Sequence, residues 1–268
     1  MLYFHCMQRI IAPLLLLLVA SATMAQSNDV YEKKEFIKGT DTLRFRILYP
    51  MNYNAQKKYP LVLFLHGSGE RGRDNNLQLV WGSSLFVDSV SRAKYPAIVI
   101  FPQCPISDSW ARVSRNETKD SLGGFVYNSA IPVGPSLNMV MELIDSIVAT
   151  GKVNTKKIYV GGLSMGGMGT FEILWRKPNF FAAALPICGG GDPSKVPLYA
   201  NKFPIWIFHG NKDPVVTVSN SRLMVNALKA ADAKVIYSEY PGIQHDSWKN
   251  AFAEPDLLKW LFAQKKKK

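Results

Sequence analysis

The sequence predicts a single-domain α/β protein with a mostly parallel, eight-stranded sheet and helices on both of its faces. The composition is globular, because 47% of the residues are hydrophobic and 19% are charged. The length of 268 residues fits one large α/β domain better than two small ones. Short apolar runs alternate with segments of helical periodicity along most of the chain, an order that is typical of a parallel sheet covered on both faces.

The strands are predicted from apolar runs that are too short to be helices. The segment at 43–49 alternates apolar and basic residues, as a half-exposed strand does, whereas the run at 97–101 is apolar throughout. The segment at 233–240 is more polar and is expected at an edge of the sheet. The eight predicted strands are 31–36, 43–49, 59–65, 97–101, 157–161, 182–188, 203–208 and 233–240.

Four helices are predicted from apolar side chains at helical spacing. The first carries Leu137 and Ile144 on one face and ends near Gly151, a common stop signal. Ser219 is expected to cap its helix, and Pro255 is expected in a first helical turn. The predicted helices are 137–148, 165–175, 219–230 and 254–263.

Residues 1–25 have the pattern of a secretory signal peptide. Arg9 precedes an apolar run at 10–20, and small residues follow up to Ala25, after which cleavage is expected. A retained membrane anchor is the alternative, but the run is shorter than the about 20 residues of a spanning helix and contains Pro13. The mature protein is therefore expected to be secreted or periplasmic, with no stable membrane span.

The remaining chain is divided into a domain at 26–264 and a solvated basic tail at 265–268. The formal net charge is +12, but no basic stripe with interleaved aromatic residues predicts a nucleic-acid partner. Attraction to an acidic polysaccharide or an anionic membrane surface stays open. Cys104 and Cys188 each follow a predicted strand, and both one disulfide and two separate buried thiols are compatible with them.

The strongest chemical signal is the turn Gly162-Leu163-Ser164-Met165-Gly166, which directly follows a predicted strand and opens a predicted helix. This is the G-x-S-x-G pattern, in which a strained turn exposes one serine hydroxyl. Glycines on either side leave room for the neighbouring strand and helix. Ser164 is therefore the candidate nucleophile, although a structural glycine-rich turn would have the same short pattern.

A serine nucleophile requires a base, and the sequence offers three histidines after the signal peptide. His66 and His209 each end an apolar strand and precede a glycine, so structural or loop-shaping roles are expected for them. His245 lies in a polar loop after the last strand, from which it can reach the serine. His245 is therefore the candidate base.

The base in turn requires an acid that holds its tautomer. Asp213 follows the strand at 203–208, and the chain order Ser164, Asp213, His245 is the order of α/β-hydrolases. Asp192 is the alternative acid, because it also follows a strand near the elbow.

An oxyanion hole completes the predicted chemistry. Its donors are expected to be the backbone N–H of Met165 and that of Ser68, with Gly69 as the alternative to Ser68. Glu70 and Arg71 either pair to hold this loop or are solvated.

The segment at 103–134 is the longest one without clear periodicity, and it is rich in aromatic residues, which argues against disorder. Because it follows a strand whose carboxyl end is expected beside Ser164, we interpret it as a lid or pocket wall.

Four segments, HGSGERG at 66–72, GLSMGG at 162–167, HGNKDPVV at 209–216 and GIQHDSW at 242–248, resemble the α/β-hydrolase superfamily. They look most like its secreted esterase branch, with polyhydroxybutyrate-depolymerase-like, feruloyl-esterase-like and phospholipase/carboxylesterase-like members. The resemblance implies the catalytic triad and oxyanion donors named above. It leaves the substrate open, because this fold hosts many activities.

The expected function is hydrolysis of a carboxylic ester through an acyl-enzyme, on a small-molecule or polysaccharide substrate such as acetylated or feruloylated plant polysaccharide. Neither a cofactor nor a metal is expected. The alternatives are a serine exopeptidase of the prolyl-oligopeptidase type, a phospholipase- or lipase-like esterase, and an inactive binding protein.

Overall fold

An eight-stranded sheet runs through the middle of the protein in the computed structural model, which describes residues 30–116 and 122–266. The order of its strands is β1-β2-β4-β3-β7-β8-β9-β10. Strand β2 is antiparallel to both β1 and β4, and all other neighbours in the sheet are parallel. The strands are β1 (Glu32–Lys38), β2 (Asp41–Leu48), β3 (Tyr59–Leu65), β4 (Ile98–Gln103), β7 (Val153–Leu163), β8 (Ala183–Ile187), β9 (Ile205–Gly210) and β10 (Val235–Tyr240), with β5 (Val113–Arg115) and β6 (Phe125–Tyr127) forming a separate hairpin.

The sheet confirms the predicted mostly parallel α/β class and all eight predicted strands. Every residue of β4, β8 and β9 is buried, which explains why these segments are apolar throughout. Strand β10 is the more polar edge that the sequence predicts. Strand β7 begins at Val153, earlier than predicted, because Val153 pairs with Tyr59 before a register shift.

The helices cover both faces of the sheet. On β3, Leu61, Leu63 and Leu65 pack in one apolar cluster, with side chains of α3, α4 and α5. Val62 and Phe64 point to a second cluster, with side chains of α1, α6 and α7. The helices are α1 (Ser84–Val87), α2 (Ser89–Lys94), α3 (Pro135–Ala149), α4 (Met165–Arg176), α5 (Ser219–Ala230), α6 (Trp248–Phe252) and α7 (Leu257–Ala263).

Two expectations about helix ends are wrong. Ser219 does not cap α5, because the N–H of Asn220 already bonds to the carbonyl of Thr217 and the cap position is Val218. The predicted helix at 254–263 begins only at Leu257, so Pro255 lies before it. Helices α1, α2 and α6 were not predicted, since four to six residues are too few to show helical periodicity.

The segment at 103–134 lies against the end of the sheet where β3 and β7 finish, in the part of it that the structure describes. Trp110 is fully buried, and its indole N–H donates to the carbonyl of His66. Ala111 and Phe125 pack in a small apolar cluster with Met168 of α4 and Val216. These contacts are compatible with a pocket wall, and a lid function stays a prediction.

Cys104 and Cys188 are separate, buried free thiols, which decides between the two alternatives left by the sequence. Among the described residues, no helix is long and apolar enough to cross a membrane. The expected signal peptide at 1–25 lies outside the described residues. Lys266, in the predicted basic tail, donates its backbone N–H to Lys156 and its ammonium group to the carbonyl of Asn179.

Candidate active site

Ser164 sits in a strained turn between β7 and α4. Its φ of +53° and ψ of −115° are rare for a residue with a side chain. The Ser164 N–H is anchored to the carbonyl of Ile187 on the adjacent strand β8, at 2.9 Å. Such strain persists only where the surroundings impose it, and it is the backbone feature expected at a nucleophile elbow.

The glycines of the turn are required by close packing. A Cβ atom on Gly166 would lie 1.9 Å from the carbonyl oxygen of Leu65, at the end of β3. A Cβ atom on Gly162 would lie 2.3 Å from the carbonyl oxygen of Gly166. The glycines of the pattern therefore leave room for the neighbouring strand and helix, as predicted, since only glycine lets the two approach this closely.

The structure brings the three predicted triad residues into one hydrogen-bonded line. Nε2 of His245 lies 3.0 Å from Oγ of Ser164, and Nδ1 of His245 lies 2.7 Å from Oδ2 of Asp213. The carboxylate can only accept, so Nδ1 carries the proton and Nε2 is free to accept the serine proton. The side chain of Asp213 is fully buried, whereas that of His245 is 21% exposed. The arrangement can therefore move a proton from the hydroxyl of Ser164 to the imidazole of His245.

Asp213 is held ionised by its neighbours. Oδ1 accepts the N–H groups of Val215 and Val216, at 2.8 and 3.0 Å. Burial raises the pKa of this carboxyl, but hydrogen bonds from His209, His245 and Val216 lower it more, so its pKa lies well below the usual range. An ionised Asp213 is the form that stabilises an imidazolium on His245.

His209 is a second histidine on the acid, a contact that sequence reasoning missed. Its Nε2 lies 3.2 Å from Oδ2 of Asp213 and 2.8 Å from the carbonyl oxygen of Val216. Its Nδ1 lies 2.7 Å from Oγ of Ser221. The sequence predicted a structural role for His209, because it ends a strand and precedes a glycine. No pattern in the sequence indicated that its partner would be Asp213.

The alternative acid is placed elsewhere. Asp192 bonds through Oδ2 to the hydroxyl of Ser129, and its Oδ1 accepts the N–H of Ser194. It caps the short 3₁₀ helix Pro193–Leu198 and makes no contact with His245 among the described residues.

The predicted oxyanion donors follow two neighbouring strands of the sheet, β3 and β7. Met165 opens α4, so its N–H is one of the first four in that helix, which have no intrahelical acceptor. Ser68 opens a 3₁₀ turn, Ser68–Glu70, directly after the neighbouring strand β3. Their role as oxyanion donors stays a prediction.

His66 and Arg71 shape the loop that carries Ser68. Burial lowers the pKa of His66 to about 4, so its ring is neutral; Nε2 accepts the N–H of Cys104, and Nδ1 donates to the carbonyl of Gly67. Arg71 neither pairs with Glu70 nor is simply solvated, because its guanidinium donates to the carbonyls of Ser68 and Ile106. The loop is thereby tied to the segment that follows β4.

Trp248 lies beside His245, and Trp81 in turn lies against Trp248. The rings of His245 and Trp248 are 5.4 Å apart and nearly perpendicular, and Trp248 lies 5.6 Å from Trp81. Trp81 follows the Ser68 loop in the chain, and Trp248 belongs to the segment that carries His245. Their contact therefore connects the segment after the first of the four sequence motifs with the last motif. Aromatic walls of this kind suit flat or apolar ligand groups.

The side chains of Cys188, Asp213 and His245 offer three metal-ligand atoms within 4.8 Å of one another. They fit a metal poorly, because Asp213 and His245 are hydrogen-bonded to each other and burial raises the pKa of the Cys188 thiol. We assign no metal to this group.

Known proteins similar to this chain include carboxylesterases and esterases, and also probable dipeptidyl-peptidases of Aspergillus species. The family described as phospholipase/carboxylesterase matches residues 126–256. A probable carboxylesterase of Oryza sativa subsp. japonica is 26% identical over 217 residues, which are 73% of this chain and 85% of that protein.

Solved structures show the same fold. A thermostable esterase superposes with a TM-score of 0.78 and 35% identity, over 88% of this chain and 64% of that one. This chain therefore spans a little under two thirds of that esterase. A ferulic acid esterase from Anaeromyces mucronatus, solved with ferulic acid, has a TM-score of 0.61 and 16% identity, over 85% of this chain and 89% of that one, and so shares the fold.

Proposed function

We propose that this protein is an α/β-hydrolase, similar to the carboxylesterases and esterases above, and that it is a serine carboxylesterase that works through an acyl-enzyme on Ser164. One observation carries the proposal: the unbroken hydrogen-bonded line from Ser164 through His245 to Asp213. The carboxylesterase relatives and the matching family support the same class of reaction.

Acylation begins when Oγ of Ser164 attacks the ester carbonyl carbon and Nε2 of His245 takes the hydroxyl proton. The negative charge moves to the carbonyl oxygen, where the N–H groups of Ser68 and Met165 stabilise it, each by roughly 3 kcal/mol. The tetrahedral intermediate collapses, the C–O bond to the alcohol breaks, and His245 returns the proton to the leaving oxygen. Asp213 stays ionised throughout and holds the imidazole in place.

Deacylation repeats these steps with water. His245 takes a proton from the water, whose oxygen attacks the acyl carbon, and the proton then passes to Oγ of Ser164 as the acid leaves. The enzyme returns to its starting state, and the net reaction is hydrolysis of one ester by one water.

For the substrate we propose acetyl or feruloyl esters of a plant polysaccharide, hydrolysed outside the cytoplasm. The signal-peptide pattern at 1–25 supports export. The wall of Trp81 and Trp248 beside His245 supports a flat, aromatic group as one of the groups accepted. The related fold of a ferulic acid esterase is in keeping with this choice.

A fluorophosphonate that labels active serines tests the nucleophile. Labelling of the folded protein is expected at Ser164 and absent in Ser164→Ala, whose kcat for p-nitrophenyl acetate should fall by roughly 10⁴- to 10⁶-fold. Ser89→Ala, which changes an exposed serine on α2, is the matched control. An unlabelled wild-type protein would contradict the proposal and favour a binding protein.

A substrate panel tests the reaction class. Acetylated and feruloylated xylan are expected to be hydrolysed, together with short p-nitrophenyl esters. Faster cleavage of an aminoacyl-nitroanilide would favour the exopeptidase alternative, and a preference for long-chain esters or phospholipid would favour the lipase-like one.

A further inference from the structure

Two polar clefts are lined by residues of the segment at 105–112, and no triad residue lines either of them. The larger has a volume of about 640 Å³ and the smaller about 360 Å³. Both fall within the range of about 300–1,000 Å³ that is usual for ligand sites. Ser107, Asp108 and Arg112 line both clefts, so the two form one continuous polar surface.

This surface begins near the nucleophile. The smaller cleft is lined by Ala111 and Val113, which belong to the apolar cluster around Met168, one turn beyond Ser164 in α4. The larger cleft is lined by Gly72, four residues after Ser68, a separation of at most about 14 Å along an extended chain. The clefts therefore lie within reach of a chain-like substrate whose ester is at Ser164.

More arginines than acids line the two clefts, namely Arg44, Arg71, Arg73 and Arg112 against Asp41 and Asp108. Among the described residues, none of Arg71, Arg73 and Arg112 forms an ion pair with a carboxylate. Arg71 and Arg112 donate to backbone carbonyls, whereas Arg73 is exposed and makes no hydrogen bond or ion pair with another described residue. Two acids line the larger cleft: Asp108 accepts the N–H of Ser136, and Asp41 is exposed.

The rest of the larger cleft suits a hydroxyl-rich ligand. Thr40, Thr42 and Ser107 present hydroxyl groups, and Gln103 lies at its base. Hydroxyl groups both donate and accept hydrogen bonds, as sugar hydroxyls require. A guanidinium adds a planar fork that binds a carboxylate in a bidentate manner.

We propose that these clefts bind the glycan chain of an acidic polysaccharide, and that Arg73 binds the carboxylate of a uronic acid on that chain. The inference rests on the proposed function, because that function names a polysaccharide as the carrier of the ester. It also gives the net charge of +12 a role, because a basic protein attracts a polyanionic substrate. The acyl group and the glycan are then recognised by different parts of the molecule.

Binding of an ester-free oligosaccharide tests this without any hydrolysis. The probes are a deacetylated xylo-oligosaccharide bearing glucuronic acid and the same compound with its carboxyl reduced to an alcohol, measured by calorimetry. The wild-type protein is expected to bind the acidic probe about tenfold more tightly. In Arg73→Gln this preference should disappear, with equal affinity for the two probes. Lys229→Gln, which removes an exposed positive charge on α5, is the charge-matched control and should keep the preference.

Three results would overturn the inference: no preference for the acidic probe in the wild-type protein, an unchanged preference in Arg73→Gln, or an equal loss in Lys229→Gln. Tighter binding of a sulfated xylo-oligosaccharide than of the uronate would overturn the carboxylate assignment. The phosphonate experiment on Ser164 uses no glycan, so it tests the proposed function separately. If Ser164 is labelled and the glycan results are negative, only the glycan-binding inference is wrong.

Discussion

His209 shows how a buried neighbour can act on the triad acid. Its Nε2 faces two acceptors, Oδ2 of Asp213 and the carbonyl of Val216, so it must carry a proton and donate. A hydrogen bond to a charged group contributes about 1.5–3 kcal/mol. His209 therefore positions Asp213 and helps to keep it ionised.

We expect His209→Leu to lower kcat for p-nitrophenyl acetate by about 10- to 100-fold, with a smaller change in KM. The reason is that Asp213 loses a donor and holds the His245 tautomer less well. His209→Gln should recover much of the loss, because an amide N–H can replace that of Nε2. Equal losses in the two variants would contradict a positioning role and indicate a packing defect.

The neutral His66 predicts a pH-dependent stability. Burial lowers its pKa to about 4, below the about 6.5 of an unfolded histidine. Between these values the unfolded chain binds the proton and the folded protein does not, so stability falls as pH falls from about 6.5 to about 4.

The expected loss from this one group is about 3 kcal/mol across that window. Urea unfolding at pH 7 and at pH 4.5 measures it. His66→Gln should be less stable at pH 7 but should have a shallower slope, because no titrating ring remains. Parallel slopes for the two proteins would contradict the assignment.

At the scale of elements, the elbow depends on how closely β3 and α4 approach. A Cβ on Gly166 would lie 1.9 Å from a backbone oxygen of β3, and backbone cannot move aside cheaply. Gly69, on the Ser68 loop, has open space around the same position and an ordinary φ. The two glycines therefore make a matched pair.

We expect Gly166→Ala to lower the free energy of unfolding by at least about 3 kcal/mol or to prevent folding, because strand and helix must separate. Gly69→Ala should change it by no more than about 0.5 kcal/mol. Soluble yield and the denaturant midpoint measure both. Similar midpoints for the two variants would show that the elbow tolerates wider packing.

At the scale of the whole molecule, the part of the chain that the structure describes contains no disulfide. Cys104 and Cys188 are free and buried, and burial raises the pKa of the Cys104 thiol to about 12. A thiol with a raised pKa reacts slowly, because the thiolate is the reactive form.

The melting temperature is therefore expected to be the same with and without dithiothreitol. Iodoacetamide should label neither thiol in the folded protein and both in guanidinium, as mass spectrometry would show. A reductant-dependent fall in melting temperature would instead indicate a disulfide.

The sequence by itself determined the strand order along the chain, the position of the elbow and a short set of candidate side chains. These are local properties: periodicity shows which face of a segment is buried, and glycines around Ser164 mark a turn that bulky residues cannot form. The sequence predicted the starts of α5 and α7, at Ser219 and Leu257, less well. Backbone hydrogen bonds decide where a helix starts, and several residues in each segment could serve as its first residue.

Only the tertiary structure decided which of these side chains meet. Asp213 and Asp192 both follow strands near the elbow, yet only the loop after β9 brings its carboxylate to His245. The tie from Arg71 to Ile106 and the clefts beside Arg73 likewise join segments far apart in the chain. Such contacts depend on the paths of loops between neighbouring strands, and no local pattern encodes those paths.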